Sequence, residues 1–517
     1  MTTRSNPPMT VPPMIADPLL TACLGQPAAH AALGRLCDTV GGRTSGAASG
    51  ARAEAWAHDL LTGWGLENVR YEAFEVLAWE RGELEATVTA TASERGDVES
   101  TFPAPSPVAW RLTALAHGYA PAAADVAAAV LDVGHGERAD FERLRSEVIG
   151  RVILCDEGAS DGRRKLHRSE KLGLAVEFGA AGLMIQSSAD GGLPRTGVCY
   201  HGEAPIPSLG ISLEDGERLR RLIRQGATPE ARIRMTNTFA TGPARNVLAD
   251  LRGRERPDEV VLAGAHLDSW DVAQGATDNG LGSAIVLEMA RALAALGQRP
   301  RRTLRFALWA AEETGLFGSK HYVAEHAGLH VGRHAGDGTE DVGRHISDGA
   351  RDAGQHAGQH TDDLSRHMAV MNFDMTGDPY GYWTPGHRDP GPLLRGLVEQ
   401  LAPLGMREVF QHKAGLHSDH QPFMLAGVPV VGLLGELGAQ GARYYHSIGD
   451  TFEKVSLPAL CRAAAVGAHT LWALADAPEP PFPHQDPAAV RAMIDAAELY
   501  DALVVEGYDG PAMFVER

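Results

Sequence analysis

Four acid- or histidine-bearing motifs follow short apolar runs or a loop, and no cysteine lies in them. VVLAGA runs into His266 within GAHLDSWDVAQGATDNG, LRFALWAA runs into Glu312 and Glu313, and AVMNF runs into Asp374, while the loop YYHSIGDT carries His446. Taken singly, each has an ordinary reading: a hydrogen-bonded core histidine, a solvated glutamate pair, a helix cap at Asp374. Together they demand more. Ionised carboxylates at the ends of apolar strands are costly to bury unless a positive charge neutralises them, and the residues at those ends include no Lys or Arg. A divalent cation is the natural partner. Histidine and carboxylate without cysteine suit zinc or a neighbouring first-row metal better than calcium or magnesium.

Asp278 lies in GATDNGLG, where small residues permit an unusual backbone just before a helix. Its two oxygens can bridge two ions, and a pair about 3.5–4 Å apart would polarise a scissile carbonyl and make hydroxide available near neutral pH. Such a reaction also needs a base that is not a ligand. An adjacent glutamate pair offers one of each, because neighbouring side chains point in different directions.

The elements that must position these residues alternate between strand and helix from about 245 to 475. EVVLAGAH, TLRFALWAA, HMAVMNFDM and VPVVGLL are apolar runs without polar alternation, as in strands buried on both faces of a mainly parallel sheet. In an open α/β sheet, ligands bind beyond the carboxyl ends of the strands, which is where these residues are delivered. A helix is predicted from near Gly282, with Ile285, Val286, Met289, Ala290 and Leu293 on one face. A second module runs from about 115 to 235. In it AAVLDVG, RVILCD and GLMIQSS are strand-like, KLGLAVEFGAAG is helical, and SLEDGERLRRLIRQG is a helix opened by a serine cap. It shows no titratable cluster at metal or triad spacing. Upstream, Pro18 to Leu66 has helical spacing around a loop, GGRTSGAASG, and VRYEAFEVLAW and ELEATVTATA suit two strands about a turn at Glu80, Arg81 and Gly82.

The whole chain bounds the answer. Its 517 residues exceed one hydrophobic core, and 44% hydrophobic with 22% charged residues is ordinary for a globular protein. A balance of 47 basic against 66 acidic side chains, −19, argues against nucleic acid as the partner. No run reaches the roughly 18–20 apolar residues of a membrane span, so no membrane partner is expected. Cys23, Cys37, Cys155, Cys199 and Cys461 are scattered without a CxxC pair, which indicates no disulfide scaffold. The opening MTTRSNPPMTVPPMIADPLL does not read as a secretory signal, so a cytoplasmic location is expected.

GAHLDSWDVAQGATDNG followed by LWAAEETGLFGS resembles the cocatalytic zinc exopeptidases, the family of bacterial leucyl aminopeptidases and glutamate carboxypeptidase. WERG at 79–82 and HSIGDT point to its carboxypeptidase Q branch, and the inserted module resembles the protease-associated domain of that branch. The similarity runs from about Pro18 to Ala475. It implies an α/β fold, a mixed, mainly parallel sheet flanked by helices with a smaller inserted α/β domain. The expected division is an arm at 1–16, a catalytic domain at 17–114 and 236–476, the insert at 115–235 and an extension at 477–517. A His- and Gly-rich stretch, 327–367, departs from the family pattern and reads as an insertion loop.

Residue by residue, the resemblance implies that Asp278 bridges two divalent ions, with zinc favoured. His266 and Asp374 would complete one site, Glu313 and His446 the other. Glu312 would be the general base, taking a proton from the attacking water and passing it to the leaving amine. Asp268 would orient a ligand or its neighbour, and Tyr445 matches a position where some relatives place an oxyanion-stabilising phenol, packing being its other role. HSDHQPF resembles a pocket-lining loop, which makes Asp419 and His420 secondary candidates. The expected activity is cleavage of the terminal bond of dipeptides or short peptides by metal-bound hydroxide. Arg443 and Lys413 are candidate carboxylate anchors or plain surface charges, and a homodimer involving the insert is left open. Two alternatives stand beside this reading: a non-catalytic binding protein on the same scaffold, and an aminoacyl cyclase on its single-zinc version.

Overall fold

The computed structural model describes residues 13–25, 27–90, 108–327 and 364–508. They fall into two compact units. The larger comprises Met1–Val76, Gly242–Ala442 and Asp450–Arg517, the smaller Leu77–Thr241 and Arg443–Gly449. Most of the 327–367 insertion and of the N-terminal arm lie outside the described residues, although a helix already spans Pro13–Gly25.

The smaller unit contains the module expected at 115–235. Its strands are β1 (Glu67–Ala90), which begins in the larger unit, β2 (Val108–Arg111), β3 (Ala114–Ala116), β4 (Ala123–Asp132), β5 (Val152–Asp156), β6 (Gly182–Gln186), β7 (Ser208–Ile211) and the first half of β8 (Glu230–Leu251). β4, β5, β6 and β7 run parallel in that order, with β8 antiparallel on β4 and β3 antiparallel on β7. Phe141, Ile153, Cys155, Leu172, Leu183 and Ile185 fill the core between sheet and helices. The helix Leu213–Arg224 opens as expected, with the Ser212 hydroxyl accepting the Asp215 N–H at 3.1 Å.

The predicted turn at Glu80–Gly82 is absent, since β1 is one continuous strand. Gly82 serves close approach instead: a Cβ there would lie 2.0 Å from the Thr236 carbonyl oxygen on β8.

In the larger unit, β9 (Arg256–His266), β10 (Arg302–Trp309) and β11 (His367–Asn372) are parallel in the order β11-β9-β10, and the end of β8 pairs antiparallel with β10. The sheet is mixed and mainly parallel, as expected. β10 is buried along its whole length, and its buried Arg302 and Arg305 are paired with Glu259 and Asp250. Helix Gly282–Ala295 is buried almost all round rather than on one face, because helix Leu457–Asp476 and the N-terminal helices cover it. Its buried Glu288 finds partners by capping Ala28 and Ala29 N–H, each at 3.0 Å.

VPVVGLL does not supply a further strand of the main sheet. It makes a single bridge, Val430 to Val370, and then leaves. Pro429 has no N–H to extend that ladder, and β14 (Gly432–Glu436) joins β12 (Asp378–Trp383) and β13 (Phe410–Gln411) in a separate small sheet. All five cysteines are buried free thiols. Among the described residues, no helix is long and apolar enough to cross a membrane.

Candidate metal centre

His266 closes β9, and its carbonyl accepts the Ser283 hydroxyl at 2.7 Å. The ring is 1% exposed. Nδ1 faces the Asp268 carbonyl oxygen at 3.1 Å, so a proton on Nδ1 leaves the Nε2 lone pair available. Nε2 has no hydrogen-bond partner. Instead it points among three carboxylate oxygens, Asp278 Oδ1 at 3.3 Å, Asp374 Oδ1 at 3.5 Å and Glu312 Oε2 at 4.0 Å.

The glutamate pair sits on the turn after β10. The Asp268 carboxylate accepts both of its backbone N–H groups, Glu312 through Oδ1 at 3.1 Å and Glu313 through Oδ2 at 3.3 Å. Asp374 follows β11, and its Oδ2 accepts the Ser418 hydroxyl at 2.6 Å while Asn372 donates to that hydroxyl at 2.7 Å. This leaves Oδ1 turned toward His266. Asp278 lies just before helix Gly282–Ala295, its bond to Asn279 cis. The Asp450 carboxylate accepts the N–H groups of Thr277 at 2.7 Å and Asp278 at 3.0 Å. Ligand atoms of His266, Glu312 and Asp374 lie within 4.8 Å of one another, as do those of Asp278 and Glu313.

The electrostatics call for a cation. Burial pushes the Glu312 carboxyl well above its ordinary range; His266 opposes this, while Asp374, Glu313 and Asp419 add to it. Burial pulls the His266 imidazole down, but Glu312 and Asp374 outweigh it and hold the ring well above its usual value. Asp419 is pushed up to about 7, again chiefly by burial. Crowded, buried carboxylates cannot all ionise without added positive charge. An imidazole nitrogen without a hydrogen bond, surrounded by carboxylate oxygens, fits a divalent metal.

The remaining candidates lie on other segments. His446 and Tyr445 belong to the Arg443–Gly449 segment of the smaller unit. There His446 Nδ1 faces the Thr196 carbonyl oxygen at 3.2 Å and Arg168 Nη2 at 3.3 Å, and the Tyr445 ring stacks on the imidazole with centroids 3.7 Å apart. Arg443 is paired with Asp190 at 2.7 Å. Asp419 is buried and accepts the Ser319 hydroxyl at 2.6 Å. His420 is held by the Gly415 carbonyl oxygen at 3.0 Å and the edge of Trp383, and Lys413 is exposed. Sequence reasoning missed Asp450 and Ser418, which hold Asp278 and Asp374; both lie inside quoted motifs, HSIGDT and HSDHQPF.

Residues 246–471 match the model of peptidase family M28 and residues 116–219 that of the PA domain. Carboxypeptidase Q of Mus musculus is 29% identical over 454 residues, covering 86% of this chain and 85% of that protein. Leupeptin-inactivating enzyme 1 of Streptomyces exfoliatus is 31% identical over 297 residues, 54% of this chain and 59% of its own. A peptidase M28 precursor from Shewanella amazonensis SB2B superposes with a TM-score of 0.71 at 25% identity, covering 91% of this chain and 98% of its own. BSAP, a zinc aminopeptidase from Bacillus subtilis, shares the fold with a TM-score of 0.56 at 21% identity, over 86% of this chain and 93% of its own.

Proposed function

We propose that the chain, whose residues 246–471 match peptidase family M28 and whose residues 116–219 match the PA domain, is a two-zinc exopeptidase removing a terminal residue from dipeptides or short peptides. The observation that carries this reading is His266 Nε2, buried without a hydrogen bond among the oxygens of Asp278, Asp374 and Glu312. His266, Asp278 and Asp374 would hold one ion, and Asp278, Glu313 and His446 the other. When bound, the ions polarise the scissile carbonyl and ease ionisation of water.

Glu312 takes the proton of the attacking water and delivers it to the leaving amine. The Asp268 carboxylate holds the glutamate pair by its backbone, so Glu313 and Glu312 take different roles on one fixed turn. Tyr445, stacked on His446, is the candidate phenol for the tetrahedral oxyanion. The names of the relatives, a carboxypeptidase and a zinc aminopeptidase, support exopeptidase chemistry with either terminus as the anchor.

Glu312→Gln is expected to abolish turnover while zinc content stays near two per chain. Full activity in that variant removes Glu312 from the base role. A panel of free and end-blocked dipeptides identifies the essential terminus, since only its block eliminates cleavage.

A further inference from the structure

The loop GGRTSG, residues 41–46, joins helices Ala29–Thr39 and Ala48–Gly63 and supplies none of the ligands. It nevertheless touches two of the ligand-bearing loops of the larger unit. Arg43 is fully buried, and its guanidinium donates to four carbonyls: Nε to Leu267 at 2.8 Å, Nη1 to Gln274 at 2.6 Å and Gly41 at 3.0 Å, and Nη2 to Gly275 at 2.8 Å. Its backbone exchanges two more bonds with Ser269, Arg43 N–H to Oγ at 3.1 Å and Ser269 N–H to the Arg43 carbonyl at 3.2 Å. Leu267 follows His266, and Gly275 lies just ahead of Asp278. One side chain therefore ties both ends of the irregular loop that separates these two ligands. Gly42 comes so close to that loop that a Cβ would lie 2.8 Å from Asp271 Cα.

Ser45, two residues on, reaches the other loop. Its hydroxyl accepts the Ala311 N–H at 2.7 Å. Ala311 has a φ of 59°, a left-handed conformation that persists in a non-glycine residue only where its surroundings hold it. It immediately precedes Glu312.

We propose that Arg43 and Ser45 are positioning residues of the metal centre. Arg43 sets the spacing of His266 and Asp278, and Ser45 fixes the turn that presents Glu312 and Glu313. The role rests on the two-zinc reading above.

Zinc affinity of the full chain, measured by competition with a chromophoric chelator, tests it without recourse to activity. Arg43→Lys and Ser45→Ala are each expected to weaken zinc binding about 10–100-fold, as for other groups that orient metal ligands. Circular dichroism of the chelated variants should remain that of the parent. A merely structural role would lower the melting temperature of the chelated protein and leave the zinc Kd of the folded protein unchanged. Should Arg43→Lys fail to fold, Ser45→Ala decides, because it removes a single acceptor. A Kd for Ser45→Ala within about twofold of the parent, against the 10–100-fold of an orienting group, overturns the positioning role alone. A parent chain that binds no zinc overturns the two-zinc reading and this role with it.

Discussion

Asp268 Oδ1 accepts the backbone N–H of Glu312 at 3.1 Å. Its other oxygen takes the next N–H, and its carbonyl faces the ring of His266, so one residue aligns a ligand and the proposed base. Asp268→Asn keeps the shape but sets an amide NH2 against one of two backbone N–H groups. Losing a charge-assisted bond at a buried site costs about 1.5–3 kcal/mol, and about 1.4 kcal/mol is tenfold in rate. Asp268→Asn should therefore lower kcat/KM for a dipeptide at least tenfold with zinc still bound. Kinetics within twofold of the parent would show that the Glu312 turn needs no such anchor.

Asp450 bears on the Asp278 segment. Its carboxylate is the acceptor for both Thr277 and Asp278 N–H, in a segment with no regular ladder to satisfy them. Asp450→Ala leaves two buried donors unpaired, at about 1–3 kcal/mol each. The larger unit should then unfold at distinctly lower urea than the parent, with both proteins measured in excess chelator so that metal affinity does not enter. An unchanged urea midpoint would mean that water replaces the carboxylate.

Asp450 marks the limit of what the sequence makes legible. His266, Glu312, Glu313 and Asp374 are readable because each follows an apolar run that must end at a sheet edge, and three such ends with acidic or imidazole groups require a common counter-charge. The groups that hold them leave no such trace. Asp450, Ser418, Arg43 and Ser45 act on backbone atoms or on a single side chain far away in sequence, and no spacing pattern records a contact of that kind. Arg43 and Ser45 stand in a glycine-rich string that reads simply as loop. Gly82 misleads in the same way, since glycine is equally required for a turn and for the close approach of β1 to β8. VPVVGLL has the composition of a core strand, yet composition does not say which sheet a strand joins.

Metal removal should destabilise the larger unit. Ligand binding to the folded state alone adds RT ln(1 + [L]/Kd), about 4 kcal/mol when free zinc is a thousandfold above Kd, and removal also restores repulsion among Asp278, Glu312, Glu313 and Asp374. Excess chelator should lower the thermal midpoint, and added zinc should restore it. A midpoint indifferent to both treatments would leave these carboxylates without the cation that their burial demands.

His446 separates one ion from two. It is the proposed ligand carried by the smaller unit, in the Arg443–Gly449 segment, where its backbone has a φ of 52° and Thr196 meets both its ring and its carbonyl. His266 and Asp374 do not depend on it. His446→Ala should therefore retain one zinc per chain after dialysis where the parent retains two, whereas Asp278→Ala, which removes the bridge, should lose both. Turnover in His446→Ala should fall at least a hundredfold, on the scale of removing a group that stabilises transition-state charge. Two zinc ions in dialysed His446→Ala would assign the second site to another residue, and a single zinc in the parent would reduce the centre to one ion held by His266, Asp278 and Asp374.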